Sequence, residues 1–390
     1  MLKNQPKRPA VRAVNAAAWR GTAAPARRRG TLRWVAAVAL CLALAGCSTA
    51  GAGAGSKPGV ALRDAVVLED PQAYVGPSTA VLNSPDLDPL DSPQEQVLPA
   101  TVTDSQGTTV TVADTSRILA IDLYGTTART VFELGLGANV VGRDVSSGFP
   151  EIAGLPLVTQ NGHELSAEAI LELAPTVIIT DSSLGPWNAV LQMREAGIPL
   201  VVVDSHRSMD NVGPLIKQVA DALGVPADGD RLAARTADAI SAITAAIAGI
   251  TPPDGRKLRM VFLYARGQSG IYYLFGPGSG TDSLITALGG VDVAAETGMQ
   301  GMQPLTDEAL VAARPDVVLM MTKGLESVDG VDGLLTSVPS LAHTPAGEKR
   351  RIVDMADNDV LSFGPNTASV LEALSVAIYA PASTSAAVAG

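Results

Sequence analysis

Three histidines occur in this 390-residue chain, His163, His206 and His343, and one of them is placed where its ring is free to work. His163 stands in NGHELSAEAIL, on a turn opened by Asn161-Gly162, just before a helix start. Ser166 is a fitting N-cap, an acid follows in the first turn, and Ala, Ile and Leu recur at helical spacing. A lone loop histidine is most often a surface residue with no task. A second short stretch, FLYARG at 262–267, changes that weighting. Residues i and i+2 of a strand point to the same side, so Tyr264 and Arg266 become neighbours on one face. A guanidinium beside a phenol favours the phenolate, which is the form that binds ferric iron.

Other candidates carry less chemistry. Met299 and Met302, in TGMQGMQPL, lie on a Gly-containing loop ahead of a second-lobe helix, where thioethers can cushion a flat apolar ligand. Tyr272 and Tyr273, in GIYYLFGPGSG, can touch ligand edges, and strand alternation buries one of the two. GPGSG lacks the Lys and spacing of a phosphate loop and reads as a turn. His206 and His343 read as solvent-exposed. Cys41 and Cys47 are the only cysteines, which excludes a cysteine nucleophile or an iron–sulfur site in the folded body. No G-x-S-x-G or H-E-x-x-H occurs, so hydrolase and zincin chemistry have no support.

These residues need elements to position them. Residues 101–112, ATVTDSQGTTVTV without its first Ala, alternate β-branched residues on both sides of Asp104-Ser105-Gln106-Gly107 and predict a hairpin. Strands at 118–122, 140–144, 176–181 and 199–204 then alternate with helices, the rhythm of a mainly parallel sheet covered on both faces. From 209 to 250 the rhythm stops and a long helix is expected. It resumes in a second lobe through KLRMVFLYAR, SLITALGG, PDVVLMM and RIVDM. The lobes echo each other: LSAEAILELAPTVIIT at 165–180 matches LTDEALVAARPDVVLM at 305–320, an offset of 140. The expected fold is therefore α/β, with two Rossmann-like lobes joined by one long rigid helix and a ligand cleft between them.

The flanks divide the chain further. Residues 1–33 hold nine Lys or Arg and no acid, and a short apolar run ends in Leu44-Ala45-Gly46-Cys47. This is the pattern of an export signal, and the Leu-Ala-Gly-Cys ending resembles the bacterial lipobox, in which Cys47 becomes a lipidated N-terminus. The expected division is a signal at 1–46, a tether of little regular structure at 47–100, an N-terminal lobe at 101–208, a linking helix at 209–250, a C-terminal lobe at 251–380 and a flexible tail at 381–390. No other apolar stretch is expected to span a bilayer. Of 28 basic residues nine leave with the signal, so 19 face 39 acids and the mature net charge is −20. Such a chain is a poor partner for nucleic acid or an anionic membrane surface.

Over residues 101–380 the sequence resembles the substrate-binding lipoproteins of ATP-driven importers that take haem, siderophores and corrinoids. The hairpin running into RILAID, the E-x-I-L-x-L-x-P-T-V-I-I unit and its second-lobe echo carry the likeness. Within that class, NGHELSAEAIL and FLYARG resemble the haem-binding members of HmuT type. The resemblance implies His163 and Tyr264 as axial ligands of a ferric haem b and Arg266 as the hydrogen-bonding partner of Tyr264, with Met299, Met302 and Tyr272 around the porphyrin. Histidine and tyrosine are both established haem ligands. It also implies that Glu168 and Glu308, the matched first-turn acids of the repeat, dock an ABC permease that works with its ATPase. The protein is then a lipid-anchored, extracytoplasmic monomer and not an enzyme. The alternatives are the same fold holding a ferric siderophore or corrinoid, and a haem-holding surface protein with no transporter.

Overall fold

The computed structural model describes residues 58–84, 87–93 and 95–384. The expected signal at 1–46, Cys47 and residues 385–390 lie outside the described residues. The hairpin forms from Ala100–Thr103 and Thr109–Val112. Asp104 closes its turn by accepting the N–H groups of Gln106 and Thr108, at 3.0 and 2.8 Å.

In the N-terminal lobe Ile118–Ile121, Val177–Thr180 and Leu200–Val202 pair in parallel. All their residues are buried, as expected of strands covered on both faces. The expected strand at 140–144 is reduced to isolated bridges, Val140 to Ile118 and Arg143 to Leu157. The C-terminal lobe carries a seven-stranded sheet. Its path runs Ser78–Ala80, Ile352–Met355, Val317–Met321, Arg259–Arg266, Ile271–Phe275 and Met302–Pro304, with Val291–Asp292 also pairing Arg259–Arg266. The last two strands of the path are antiparallel.

The repeat read from the sequence appears as two matching units. Helices Ala167–Glu172 and Asp307–Ala313 each begin on a hydroxyl cap, Ser166 or Thr306, that accepts the N–H three residues on. Each unit then turns into its strand through a left-handed residue, Ala174 at φ 44° and Arg314 at φ 45°. The same distance along each helix stands an exposed aliphatic, Leu171 and Val311.

The linking helix is Pro226–Ile250, 25 residues and about 37 Å at the usual rise, with Val212–Ala222 packed beside it. It is long and apolar enough to cross a membrane by length and composition, contrary to the expectation that no such stretch follows the signal. Its many alanines raise the mean hydropathy. Its Leu232, Ala233 and Ile247 join a buried core that also holds Ile118, Val177 and Val201 of the first sheet and Phe262, Leu319 and Val353 of the second. One core therefore runs through both lobes. Separate clusters fill the outer faces, around Leu119 and Ile178 in one lobe and Val261 and Val318 in the other.

The described residues among 58–99 differ most from expectation. Little regular structure was expected there, yet the segment packs as a strap. Ser78–Ala80 adds a parallel strand beside Ile352–Met355. Tyr74 stacks on the guanidinium of Arg351, at 4.4 Å, and that buried Arg351 also donates to Ser78 Oγ and to the carbonyl of Ile378. Farther on, Arg231 and Arg235 of the linking helix donate to the carbonyls of Asp91 and Asp88, and Val97 N–H reaches the Gly224 carbonyl at 2.8 Å. Leu62, Leu82 and Leu90 of the strap are buried in the main core, but they are too widely spaced to give a hydrophobic period, and backbone and cation contacts supply the rest.

Candidate ligand cleft

A cleft of about 740 Å³ lies between the lobes, within the usual range for small-molecule sites. His163, Tyr264, Arg266 and Met302 all line it. His163 sits at the tip of a small hairpin in which Thr159–Gln160 pairs with Glu164–Leu165. Asn161 and Gly162 turn it at φ 48° and 92°, and a side chain at Gly162 would meet only open space. Glycine is there for its backbone angle. Ser146 Oγ lies 3.4 Å from His163 Nδ1. The histidine's pKa is lowered, first by burial and then by the Arg266 and Lys323 cations, with Asp357 opposing. The shift favours the neutral imidazole, the form that offers a lone pair to a metal.

Tyr264 and Arg266 lie on Arg259–Arg266, and the guanidinium sits 5.7 Å from the Tyr264 ring centroid. Register decides the rest of this wall. Tyr273 is directly opposite Tyr264, and Phe275 opposite both Phe262 and Met302. Opposed residues share a face, so Tyr264, Tyr273, Phe275 and Met302 form one wall, with the Tyr264 and Phe275 rings 6.2 Å apart and nearly parallel. Tyr272 pairs with Ala265 and packs into the outer core instead. The expectation for Tyr272 is corrected: it does not line the cleft, whereas Tyr273 does. Met299 is likewise buried in the outer core, against Gly276, and does not line the cleft.

Several cleft residues were not anticipated as ligand contacts. Tyr124, Ser205, His206, Arg207, Met321, Lys323 and Asp357 all line it. His206 is exposed, as expected, but at the cleft; His343 is exposed elsewhere. Each newly found residue lies at or just beyond the C-terminal end of a parallel strand, the place where open α/β sheets bind ligands. That rule was the available signal.

The floor holds a buried charged cluster. Arg207 pairs with Asp181 at 2.7 Å and Asp122 at 3.4 Å and lies 4.7 Å from the Tyr124 ring centroid. Asp122 also accepts the Thr127 N–H and hydroxyl, at 2.7 and 2.6 Å. Asp144 accepts the N–H groups of Asp122 and Ser147. Burial, and then the Asp122 charge, push Asp144 up to about 7 and Asp181 up to about 6. The lobes meet closely above this floor: a side chain at Gly280 would strike the Arg207 carbonyl, and one at Gly148 would strike Asn358.

Among the described residues no cluster of three or more His, Cys, Asp or Glu could hold a bare metal ion. The cleft instead sets His163 of one lobe and Tyr264 of the other along its lining, beside an aromatic wall. That arrangement suits a flat, largely apolar ligand that carries its own metal. Glu168 and Glu308 lie outside it, exposed at the starts of the matched helices.

A two-lobed α/β body with a ligand cleft between its lobes is the architecture of a substrate-binding protein. The chain belongs to the periplasmic binding protein family, whose model matches residues 121–358. Members of this kind are substrate-binding transport proteins and not enzymes. Among solved structures, the heme binding protein HmuT is 41% identical at a TM-score of 0.75, with 80% of this chain and 99% of that chain covered. Structures of HmuT variants carry alanine at a histidine, at a tyrosine, or at the arginine two positions after that tyrosine. The ABC transporter substrate-binding lipoprotein YvrC of Bacillus subtilis (strain 168) is 23% identical over 73% of this chain and 87% of its own. A cobalamin-binding protein of Halobacterium salinarum is 26% identical over 74% of each.

Proposed function

We propose that this protein captures ferric haem b in the cleft, with His163 and Tyr264 as axial ligands, and delivers it to an ABC permease and its ATPase. The observation that carries the reading is that His163 lines the cleft from one lobe while Tyr264 and Arg266 line it from the other. The histidine, tyrosine and i+2 arginine replaced in HmuT are the same three residue types, with the same interval between tyrosine and arginine as between Tyr264 and Arg266. Tyr273, Phe275 and Met302 give a porphyrin face an apolar wall, and a neutral His163 suits iron. Arg266, beside the Tyr264 ring, favours the anionic oxygen that ferric iron prefers. The family and the lipoprotein relative support an extracytoplasmic place. In the same reading Cys47 carries the lipid, the protein acts as a monomer, and Glu168 and Glu308 meet the permease.

Haemin titrated into residues 48–390 tests this. A Soret change saturating at one equivalent, with a His/Tyr ferric spectrum, is the expected result. Saturable binding of cobalamin or a ferric siderophore, with no saturable haemin change, would overturn it in favour of the corrinoid or siderophore reading.

A further inference from the structure

The body of this protein is strongly acidic, with a net charge of −20 beyond the signal, yet haem arrives with two carboxylates. An anionic ligand is repelled by such a body unless the cleft presents cations of its own. The charged groups lining the cleft besides its histidines are Arg207, Arg266, Lys323 and Asp357. Arg207 is spent on Asp122 and Asp181. Arg266 lies over the Tyr264 ring. Lys323 is exposed and, among the described residues, has no carboxylate in ion-pair contact with its ammonium.

Its backbone is nonetheless held firmly. Lys323 lies on the short helix Thr322–Glu326. Thr322 donates to Asp354 at 2.6 Å, and the Lys323 N–H donates to Asp357 at 3.0 Å. Gly324 lies against Ala265, where an added Cβ would stand 3.2 Å from the carbonyl oxygen, and Ser327 Oγ accepts the Gly267 N–H at 2.9 Å. The turn is thus pinned on both sides of Arg266, the residue after Ala265 and before Gly267. A fixed backbone with an unpaired ammonium beside the ligand strand is what a carboxylate-binding position requires.

We infer that Lys323 binds a propionate of the captured tetrapyrrole, and that this contact makes the cleft select ligands with free carboxylates. The inference rests on the haem reading. Arg266 remains with Tyr264, so the two cations have separate tasks, one at the iron ligand and one at the ligand's periphery. Dissociation of haemin and of haemin dimethyl ester, in one detergent-containing buffer, separates the two levels of the argument. Lys323→Ala should release haemin about three- to tenfold faster and leave the diester's rate and both Soret spectra unchanged. Lys323→Arg should restore the wild-type haemin rate. In wild type, rising salt should speed haemin release more than it does in Lys323→Ala. Equal acceleration for both ligands, or none for either, overturns the inference while the haem assignment stands. Failure of the wild type to bind either ligand overturns the haem assignment itself.

Discussion

Replacing Arg207 with Met tests the buried charge cluster beneath the cleft. Met retains much of the side-chain volume under Tyr124 but removes the only cation within ion-pair contact of Asp181 and Asp122 among the described residues. Both carboxylates are fully buried, and the Arg207 side chain is 2% exposed. Breaking a buried pair from one side costs about 3–5 kcal/mol, which corresponds to a fall in melting temperature of roughly 4–7 °C for a body of this size. The loss depends on pH, with a definite sign. A buried acid whose folded pKa is raised costs no charge penalty below its unfolded value near 3.8; the penalty grows as pH climbs from there to the folded value and is full above it. Asp181 is raised to about 6 with Arg207 present and Asp144 to about 7; removing the cation raises Asp181 further. Below these values the acids take protons and the variant is spared. Differential scanning fluorimetry should therefore show a small loss at pH 5 and the full loss at pH 8. A loss equal at both pH values, or larger at pH 5, would refute the reasoning.

Tyr264→Phe should speed haemin loss more than Arg266→Ala, since it deletes a ligand while the arginine acts through it; an unchanged phenolate charge-transfer band and off-rate in Arg266→Ala would rule out that role. Glu168→Ala with Glu308→Ala should leave haem affinity unchanged and reduce transfer into proteoliposomes holding the permease. Losing two helix-start acids costs about 0.6–2 kcal/mol, so the melting temperature of the loaded double variant is the control, and wild-type transfer by a folded variant would sink the docking role. Arg351→Ala should open residues 66–76 to limited proteolysis without changing the haem spectrum, because Arg351 ties Tyr74, Ser78 and Ile378 together; unchanged cleavage would show that the strand pairing alone holds the strap. Free and haem-loaded protein should give superimposable small-angle scattering, because one core crosses both lobes; a change in radius of gyration of more than an ångström or so would contradict this.

The sequence was most informative where local signals and packing agree. The cap Ser166, the helical spacing after it and the buried strand Val177–Thr180 could be read directly, and so could their counterparts 140 residues on. His163, Tyr264 and Arg266 stood out because a loop position and an i, i+2 strand spacing constrain where side chains point. Tyr272, Tyr273, Met299 and Met302 could not be sorted in the same way. Their facing depends on how Ile271–Phe275 registers against Arg259–Arg266 and Met302–Pro304, and a one-residue slip would exchange the two tyrosines. The strap was missed for another reason. Ser78 finds its partner Val353 across most of the chain, and three residues carry too little pattern to announce such a pairing.

The continuous core has a mechanical consequence for delivery. Opening the lobes as a hinge would slide Leu232, Ile247 and their neighbours past close-packed partners on both sheets, and packed interiors resist such deformation. The strap, bonded to both the second lobe and the linking helix, adds to that stiffness. The body is then a passive clasp that stores no spring energy for release. Its cargo leaves only as fast as the contacts in the cleft break by themselves, unless something outside performs work on the two lobes. In a transporter that partner is the one that consumes ATP, so unloading is driven from the membrane side and a stray loaded molecule keeps what it carries.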